Sequence, residues 1–592
     1  MCGICGEVHF DSGSASPASI AAMCEVMRPR GPDAGGVVVR DRVGFGHRRL
    51  RIIDLSARGA QPMVDPELGL SLAFNGCIYN YRELREELSA KGYRFFSDSD
   101  TEVILKAYAA WGMECVQRFN GMFAFVIHER DTGRVVMARD RLGIKPLYLA
   151  ETDGGRVLRF ASSLPALLAT GGIDRSIDPV ALHHYMTFHA VVPPPYTMIK
   201  GVRKLPPATV AVFEPDGTRR DQLYWSPSFE RTAEDIATSA QEWEARVHDA
   251  LMLAVKRRMV ADVPVGVLLS GGVDSSLIVG LLAEAGQSGL KTFSVGFEAV
   301  GGEEGNEFLY SDLIAKHFGT EHFKIQVPTA DMIAALPATI AAMSEPMVSH
   351  DNVGFFLLSR EVRKHVRVVQ SGQGADEIFA GYHWYPPLAS GNADVEDYAE
   401  AFFDRDHADF AKAVSPDFVG DDYSMAFVKA HFARPGANSA VDRALRIDTQ
   451  IMLADDPVKR VDNMTMAWGL EARVPFLDHE LVELAAKIPH EHKLKHEGKG
   501  VLKDVARKVI PAEVIDRPKG YFPVPALKYI EGPVFDMVND ALNAKAARER
   551  GVFRNSYIDM LLADPRDHIT KLRGSKLWQI ALLELWLQEN SL

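Results

Sequence analysis

The first chemistry the chain offers is a thiol beside its own amine. Met1 is followed by Cys2, and an initiator methionine is normally removed before so small a side chain, so the mature chain is expected to begin at the cysteine. A thiolate attacks a carbonyl far better than a thiol, and an adjacent α-amine, partly neutral at about pH 8, takes the proton without another residue. Cys2-Gly-Ile-Cys5 also reads as half a zinc site or as two small buried residues. No second Cys or His pair at zinc spacing follows, and Cys24, Cys77 and Cys115 are scattered.

The second chemistry is phosphate binding, in Ser270-Gly-Gly-Val-Asp-Ser-Ser276. Gly271 and Gly272 let backbone N–H groups approach oxygens, Ser270 and Ser275 add hydroxyl donors, and a helix N-terminus carries partial positive charge. The Lys of a G-x-x-x-x-G-K loop is absent and Asp274 stands among the donors instead. An acid beside phosphates implies a metal, and Mg2+ with mixed carboxylate and phosphate ligands meets that need. A second loop, Ser371-Gly-Gln-Gly-Ala-Asp-Glu377, follows another apolar run. Parallel strands place both loops at one sheet edge, where Asp376 shares the metal with Asp274.

The elements that must hold these residues follow from length and patterning. The 592 residues give a soft prior of two to four domains at about 150 residues each. Hydrophobic residues at 47% and charged residues at 24% describe an ordinary globular chain. The net charge of -13 repels nucleic acid and anionic lipid. The uncharged stretch from Pro179 to Ile199 holds three His and four Pro, so no membrane span is expected. The first basic residue is Arg28 and the five Cys are an odd number, which together predict a reducing, cytoplasmic setting.

Up to about residue 215, short β-prone runs (36–46, 70–76, 121–127, 134–138, 157–161) bracket few helices, with 80–91 the clearest of them. This predicts an α+β layered domain over 1–218 and a turn-rich linker over 219–240. From 241 to 592 the order becomes helix, strand, glycine loop, helix, strand, the signature of an α/β doubly wound parallel sheet. Expected there are a helix over 242–259, strands over 263–269, 292–297 and 366–370, and a helix over 355–364. Between Ser390 and Ser424 ten acidic and two basic residues interleave with aromatics, which predicts a folded helical insert.

Arg30-Gly-Pro-Asp33, His47-Arg-Arg-Leu50, Phe74-Asn-Gly-Cys-Ile-Tyr79 and Ser99-Asp-Thr-Glu102 follow Cys2 in that order. Singly they read as a turn, a basic strand end, a hairpin turn and an exposed acid. Together they resemble the glutaminase domain of class II glutamine amidotransferases, an Ntn-type αββα sandwich whose N-terminal Cys releases ammonia from glutamine. The resemblance implies that Arg49 pairs with the glutamine carboxylate, that Ile53 contacts glutamine, and that Asp100 holds its ammonium. It implies an oxyanion hole of Asn75 and the Gly76 N–H. Cys77 stands where many relatives carry Glu, and cannot accept a charged hydrogen bond as a carboxylate does.

The Ser270–Ser276 loop resembles the pyrophosphate-binding motif of N-type ATP pyrophosphatases. With Val458-Lys-Arg-Val-Asp-Asn-Met-Thr-Met-Ala467, Glu471-Ala-Arg-Val-Pro-Phe-Leu-Asp478 and Arg517-Pro-Lys-Gly-Tyr521 it completes a resemblance to the asparagine synthase family over nearly the whole chain. That implies ATP and Mg2+, with Leu268 and Val295 framing adenine and Ser371 and Gly372 touching the nucleotide. Lys503 would reach the phosphates or the developing charge. The implied reaction activates a carboxylate as an acyl-adenylate, which ammonia attacks after crossing a dry, apolar interdomain passage. The partners are small molecules, with a homodimer the assembly the resemblance allows.

Gln373 occupies the place of a Glu in familiar bacterial asparagine synthetases, and makes it the acceptor-site candidate. The segments Phe74–Tyr79 and Tyr521-Phe-Pro-Val-Pro525 resemble N-acetylglutaminylglutamine amidotransferases, which makes a dipeptide carboxylate the expected acceptor, with aspartate the alternative. A β-lactam synthetase relative is disfavoured by Cys2, Arg49 and Asp100 together, and a redox or binding role leaves the glycine loop unexplained.

Overall fold

Side-chain alternation along the strand Cys2–His9 decides the first layers. Ile4 and Val8 face a core shared with Phe45, Ala73, Ala124 and Val126. Cys5, on the opposite face, packs with Ile20, Met23 and Cys24 of the helix Pro17–Val26. The odd spacing therefore puts Cys2 and Cys5 on opposite sides of one strand, and their C-x-x-C is not half of a shared metal site. The structure, a computed structural model, describes residues 2–298, 307–390, 394–517 and 530–592.

Two six-stranded antiparallel sheets face each other across that core. One runs Arg203–Lys204, Tyr148–Thr152, Val157–Ala161, Cys2–His9, Val43–Arg49, Ala34–Arg40. The other runs Arg219–Leu223, Thr209–Phe213, Val135–Arg139, Gly121–Glu129, Leu70–Ile78, Met63–Asp65. Helices Tyr81–Ala90 and Asp100–Trp111 cover the second sheet, burying Leu84, Leu88, Val103 and Ile104 against Leu72, Phe74 and Phe125. The expected αββα sandwich results. Its edge strand Arg219–Leu223 pairs with Thr209–Phe213, so the sheet runs on into the stretch read as linker. All five of its residues are exposed, and the run Arg-Arg-Asp-Gln-Leu carries no alternation to betray a strand.

The second half is built on a five-stranded sheet ordered Glu321–Val327, Lys291–Phe297, Val265–Leu268, Val368–Gln370, Glu471–Arg473. All its pairings are parallel. Chain order runs outward from Val265–Leu268 in both directions, so the strand order reverses between it and Val368–Gln370, the place where open α/β sheets bind ligands. The helix Ala240–Arg257 buries Trp243, Val247, Leu251 and Ala254 along one face, at a spacing of four, four and three. In the insert, Tyr398, Phe402 and Phe410 are buried on the helices Asp394–Phe402 and His407–Ala413. Among the described residues no helix is long and apolar enough to cross a membrane.

Candidate active sites

Cys2 lies at the floor of a pocket lined also by Arg49, Ile53, Gly76, Cys77 and Asp100. Register explains the meeting, because Cys2 pairs directly with Arg49 across neighbouring strands. The Cys2 backbone N–H donates to Asn75 Oδ1 at 3.0 Å. Asn75 is buried, and its Nδ2 has no partner among the described residues, a donor left for an oxyanion. Gly76 has φ +156°, and a Cβ there would lie 2.1 Å from the Met122 carbonyl oxygen, so only glycine fits beside the thiol. Three carbonyls, those of Ser56 (2.9 Å), Asp54 (2.5 Å) and Ile53 (3.5 Å), accept from the Arg49 guanidinium and fix its plane.

Burial pushes the Cys2 thiol up, while the amino terminus and Arg49 pull it back. Such a thiol needs a base at hand. Neither acid of Ser99-Asp-Thr-Glu102 is exposed, contrary to the reading of that segment alone. Glu102 is fully buried and accepts from the backbone N–H groups of Phe96 and Ser97. Asp100 opens the helix Asp100–Trp111 and accepts from the Ile78 N–H at 3.1 Å.

The Asp100 carboxyl is pushed up to about 6, chiefly by burial, against the Ile78 hydrogen bond. A raised carboxyl is neutral below its pKa and then cannot hold an ammonium group. On the role that the resemblance implies for Asp100, KM for glutamine is expected to rise as pH falls through about 6, with kcat changing less, and Asp100→Asn should raise KM and flatten the dependence. Steady-state glutaminase assays between about pH 5 and 8 check this. A flat wild-type KM would remove Asp100 from ammonium binding.

Two residues of the second half complete this pocket. Glu471 and Arg473, on the edge strand Glu471–Arg473, line it together with Cys2. Arg473 Nε donates to Glu471 Oε1 at 2.6 Å, and Nη2 approaches Cys77 Sγ at 3.7 Å across a separation of 396 residues. Burial alone would raise the Glu471 carboxyl, but the amino terminus, Arg473 and Lys145 hold it well below the usual carboxylate range. The far half of the chain thus brings a carboxylate and a guanidinium into the pocket beside Cys77. Removing one partner of so buried a pair costs about 3–5 kcal/mol. The boundary beside Cys2 is lined by paired charges. Arg30 donates to the Cys2 carbonyl at 3.4 Å and to Asp462 at 2.9 Å, and Lys145 meets Asp462 at 3.2 Å. Charged residues brought to a buried boundary by two folds must pair there, since an unpartnered one costs more.

The second pocket opens at the C-terminal ends of Val265–Leu268 and Val368–Gln370. Leu268 and Val295 form one wall with Phe293, and Ser270, Gly272, Asp274 and Ser275 another. Gly271 supplies the turn, with φ +77° and Ser311 N and Tyr310 Cβ each 2.9 Å from where a Cβ would stand. Ser270 Oγ lies 3.1 Å from Ser275 Oγ and accepts from the Gly272 N–H, so the hydroxyls are held within the loop. Ser371, Gly372 and Gln373 lie across from them, and Gly372 packs against Asp274.

Asp274 and Asp376 converge on one cation. Lys499 Nζ lies 2.7 Å from Asp274 Oδ2 and 3.0 Å from Asp376 Oδ2, and the two carboxylates raise its pKa against the effect of burial. Lys503, the lysine the resemblance named, lines the same pocket, with its Nζ on the His496 carbonyl oxygen at 2.5 Å. The place of Lys499 between the acids is not legible in sequence, because its φ of +56° and its reach to both exist only in three dimensions; the flanking Gly498 and Gly500 are the local signal. Arg517 pairs with Glu307 at 2.7 Å beside the pocket. Residues 518–529, which include Tyr521–Pro525, lie outside the described residues.

Comparison with known proteins decides the family. The family model described as asparagine synthase matches residues 246–588, and that described as a glutamine amidotransferase domain matches residues 1–225. The chain belongs to the asparagine synthase family. It is 32% identical over 614 aligned residues to asparagine synthetase [glutamine-hydrolyzing] 1 of Bacillus subtilis (strain 168), covering 96% of this chain and 93% of the relative. A putative asparagine synthetase [glutamine-hydrolyzing] of Mycobacterium tuberculosis (strain ATCC 25618 / H37Rv) is also 32% identical, covering 99% and 97%. Asparagine synthetase [glutamine-hydrolyzing] 3 of Bacillus subtilis is 31% identical, covering 88% and 87%. As a member of the asparagine synthase family the protein is an enzyme of the carbon–nitrogen ligase class, with a glutamine amidotransferase domain in front.

Proposed function

We propose that the protein hydrolyses glutamine at Cys2 and uses the ammonia to amidate a carboxylate activated by ATP in the second pocket. The observation that carries this reading is the strand Glu471–Arg473. Its side chains line the thiol pocket, while its neighbour Val368–Gln370 runs straight into Ser371–Gln373 of the other pocket.

With Met1 removed, the Cys2 amine takes the thiol proton and the sulfur attacks the glutamine amide carbon. Asn75 Nδ2 and the Gly76 N–H receive the negative charge on oxygen, ammonia leaves, and water releases glutamate. In the second pocket the acceptor carboxylate displaces pyrophosphate from ATP, and ammonia then displaces AMP from the acyl-adenylate. The two converging carboxylates fit a hard divalent cation sharing phosphate oxygens. When bound, Mg2+ would supply charge neutralisation on those phosphates, and Asp274 and Asp376 would hold it. Lys499, released from the acids, is placed to follow the phosphate charge. Five free, buried cysteines suit a cytoplasmic setting.

We propose N-acetylglutaminylglutamine as the acceptor. Gln373 on the pocket wall is neutral, and Arg460 lines the same pocket. An amide neither removes a proton from ammonia nor balances aspartate's ammonium, whereas an acylated dipeptide brings no ammonium to balance. Aspartate is the second reading, favoured by the names of the relatives. With both acceptors at equal concentration, the dipeptide amide is expected as the main product and with the higher kcat/KM. Asparagine as the main product would return the protein to asparagine synthesis.

A further inference from the structure

Three metal-ligating side chains meet where the first half of the chain touches the insert, and none of them lines either pocket. His183 stands on the helix Pro179–Thr187, His407 opens the helix His407–Ala413, and Asp422 caps the helix Tyr423–Phe432. His183 Nε2 lies 3.1 Å from His407 Nδ1 and 3.8 Å from Asp422 Oδ1. The ligand atoms of all three fall within 4.8 Å of one another, the one such group of His, Cys, Asp and Glu among the described residues. Two nitrogens on a tetrahedral Zn2+ ion stand about 3.3 Å apart, so the imidazoles are already at ligand spacing.

The hydrogen-bond network around His183 fixes which nitrogen is free to bind. Thr187 Oγ1 donates to the His183 carbonyl at 2.7 Å, so its 2.5 Å contact with Ser424 Oγ takes the Ser424 proton. Ser424 Oγ then accepts from His183 Nδ1 and His184 Nδ1, each 3.0 Å away. With Thr187 Oγ1 a further 3.3 Å from Nδ1, this pattern assigns His183 the Nδ1–H tautomer, with the Nε2 lone pair toward His407 and Asp422. Ligating histidines are oriented in this way by the partner of their other nitrogen. In the metal-free protein His407 Nδ1–H fills that lone pair. Moving this proton to His407 Nε2 frees Nδ1 without changing the net protonation.

We propose that His183, His407 and Asp422 bind a divalent transition metal, Zn2+ fitting the donor set best, with water as fourth ligand. His183 is fully buried, while His407 and Asp422 are partly exposed and give the ion its entry. His183 and His407 are 224 residues apart, so the ion would pin the glutaminase half to the insert of the synthetase half.

The test uses the full-length, untagged protein, stripped with chelator, dialysed against Zn2+ with excess Mg2+ to occupy Asp274 and Asp376, and desalted. Metal content is measured by mass spectrometry beside His407→Gln and Asp422→Asn. The second variant keeps the oxygen that caps the Met425 N–H at 3.1 Å and removes only the charge. Expected are about one zinc per wild-type chain, affinity lowered about tenfold or more in each variant, and a zinc-dependent rise in Tm confined to wild type. Co2+-loaded wild type should show the strong visible absorption of a tetrahedral ion, absent from His407→Gln. Should His407→Gln not fold, Asp422→Asn carries the comparison alone. No zinc retained by wild type, or equal zinc in wild type and the folded variants, would overturn the proposal.

Discussion

Cys2→Ala is expected to abolish glutamine-dependent amide formation while synthesis from ammonium salts continues near the wild-type rate. In the proposed reaction the Cys2 sulfur is the attacking atom, and no other cysteine lines the pocket except Cys77, whose thiol burial holds strongly protonated. Loss of a nucleophile with its base and oxyanion hole left intact typically costs on the order of a thousandfold or more. The substitution removes one sulfur and keeps the backbone that matters here, the Cys2 N–H on Asn75 and the Cys2 carbonyl that receives Arg30. The second pocket contains none of these groups. Glutamate release and amide product, measured with glutamine and then with ammonium, give the result. Loss of both activities would refute two sites with separate tasks.

Asp274→Asn should act in the opposite sense, suppressing pyrophosphate release while basal glutamine hydrolysis remains measurable. Asn is nearly isosteric, so the close packing of Gly372 on Asp274 survives. What disappears is one of the two negative charges now facing Lys499. A divalent ion deprived of that carboxylate binds more weakly beside the phosphates, and losing several kcal/mol of charge stabilisation slows adenylation by about a hundredfold or more. Pyrophosphate release near wild type would show that the metal is held elsewhere.

Much of this protein was legible where chemistry is written in local order. The glycines and serines of Ser270–Ser276 are legible as a phosphate loop because such a loop is built from contiguous residues, and the order of motifs behind Cys2 carries the resemblance to a glutaminase domain. The layer types followed from period-two and period-four patterning. Short or exposed elements escaped. Glu471–Arg473 is three residues long and Arg219–Leu223 is exposed throughout, so neither shows a periodicity against its surroundings.

The motif order and the resemblance it carries grouped Cys2, Arg49 and Asp100 at one site and Asp274 and Asp376 at another, and each group lines a single pocket. Sequence by itself did not determine which residues would enter those pockets from far along the chain. Tertiary structure alone brought Glu471 and Arg473 to the Cys2 pocket, placed Lys499 between the two aspartates, and set His183 against His407. The physical reason is that buried charges must find partners, and in a chain of this length the partner that folding supplies is often hundreds of residues away. Such pairings depend on sheet order and register, which no window of sequence contains.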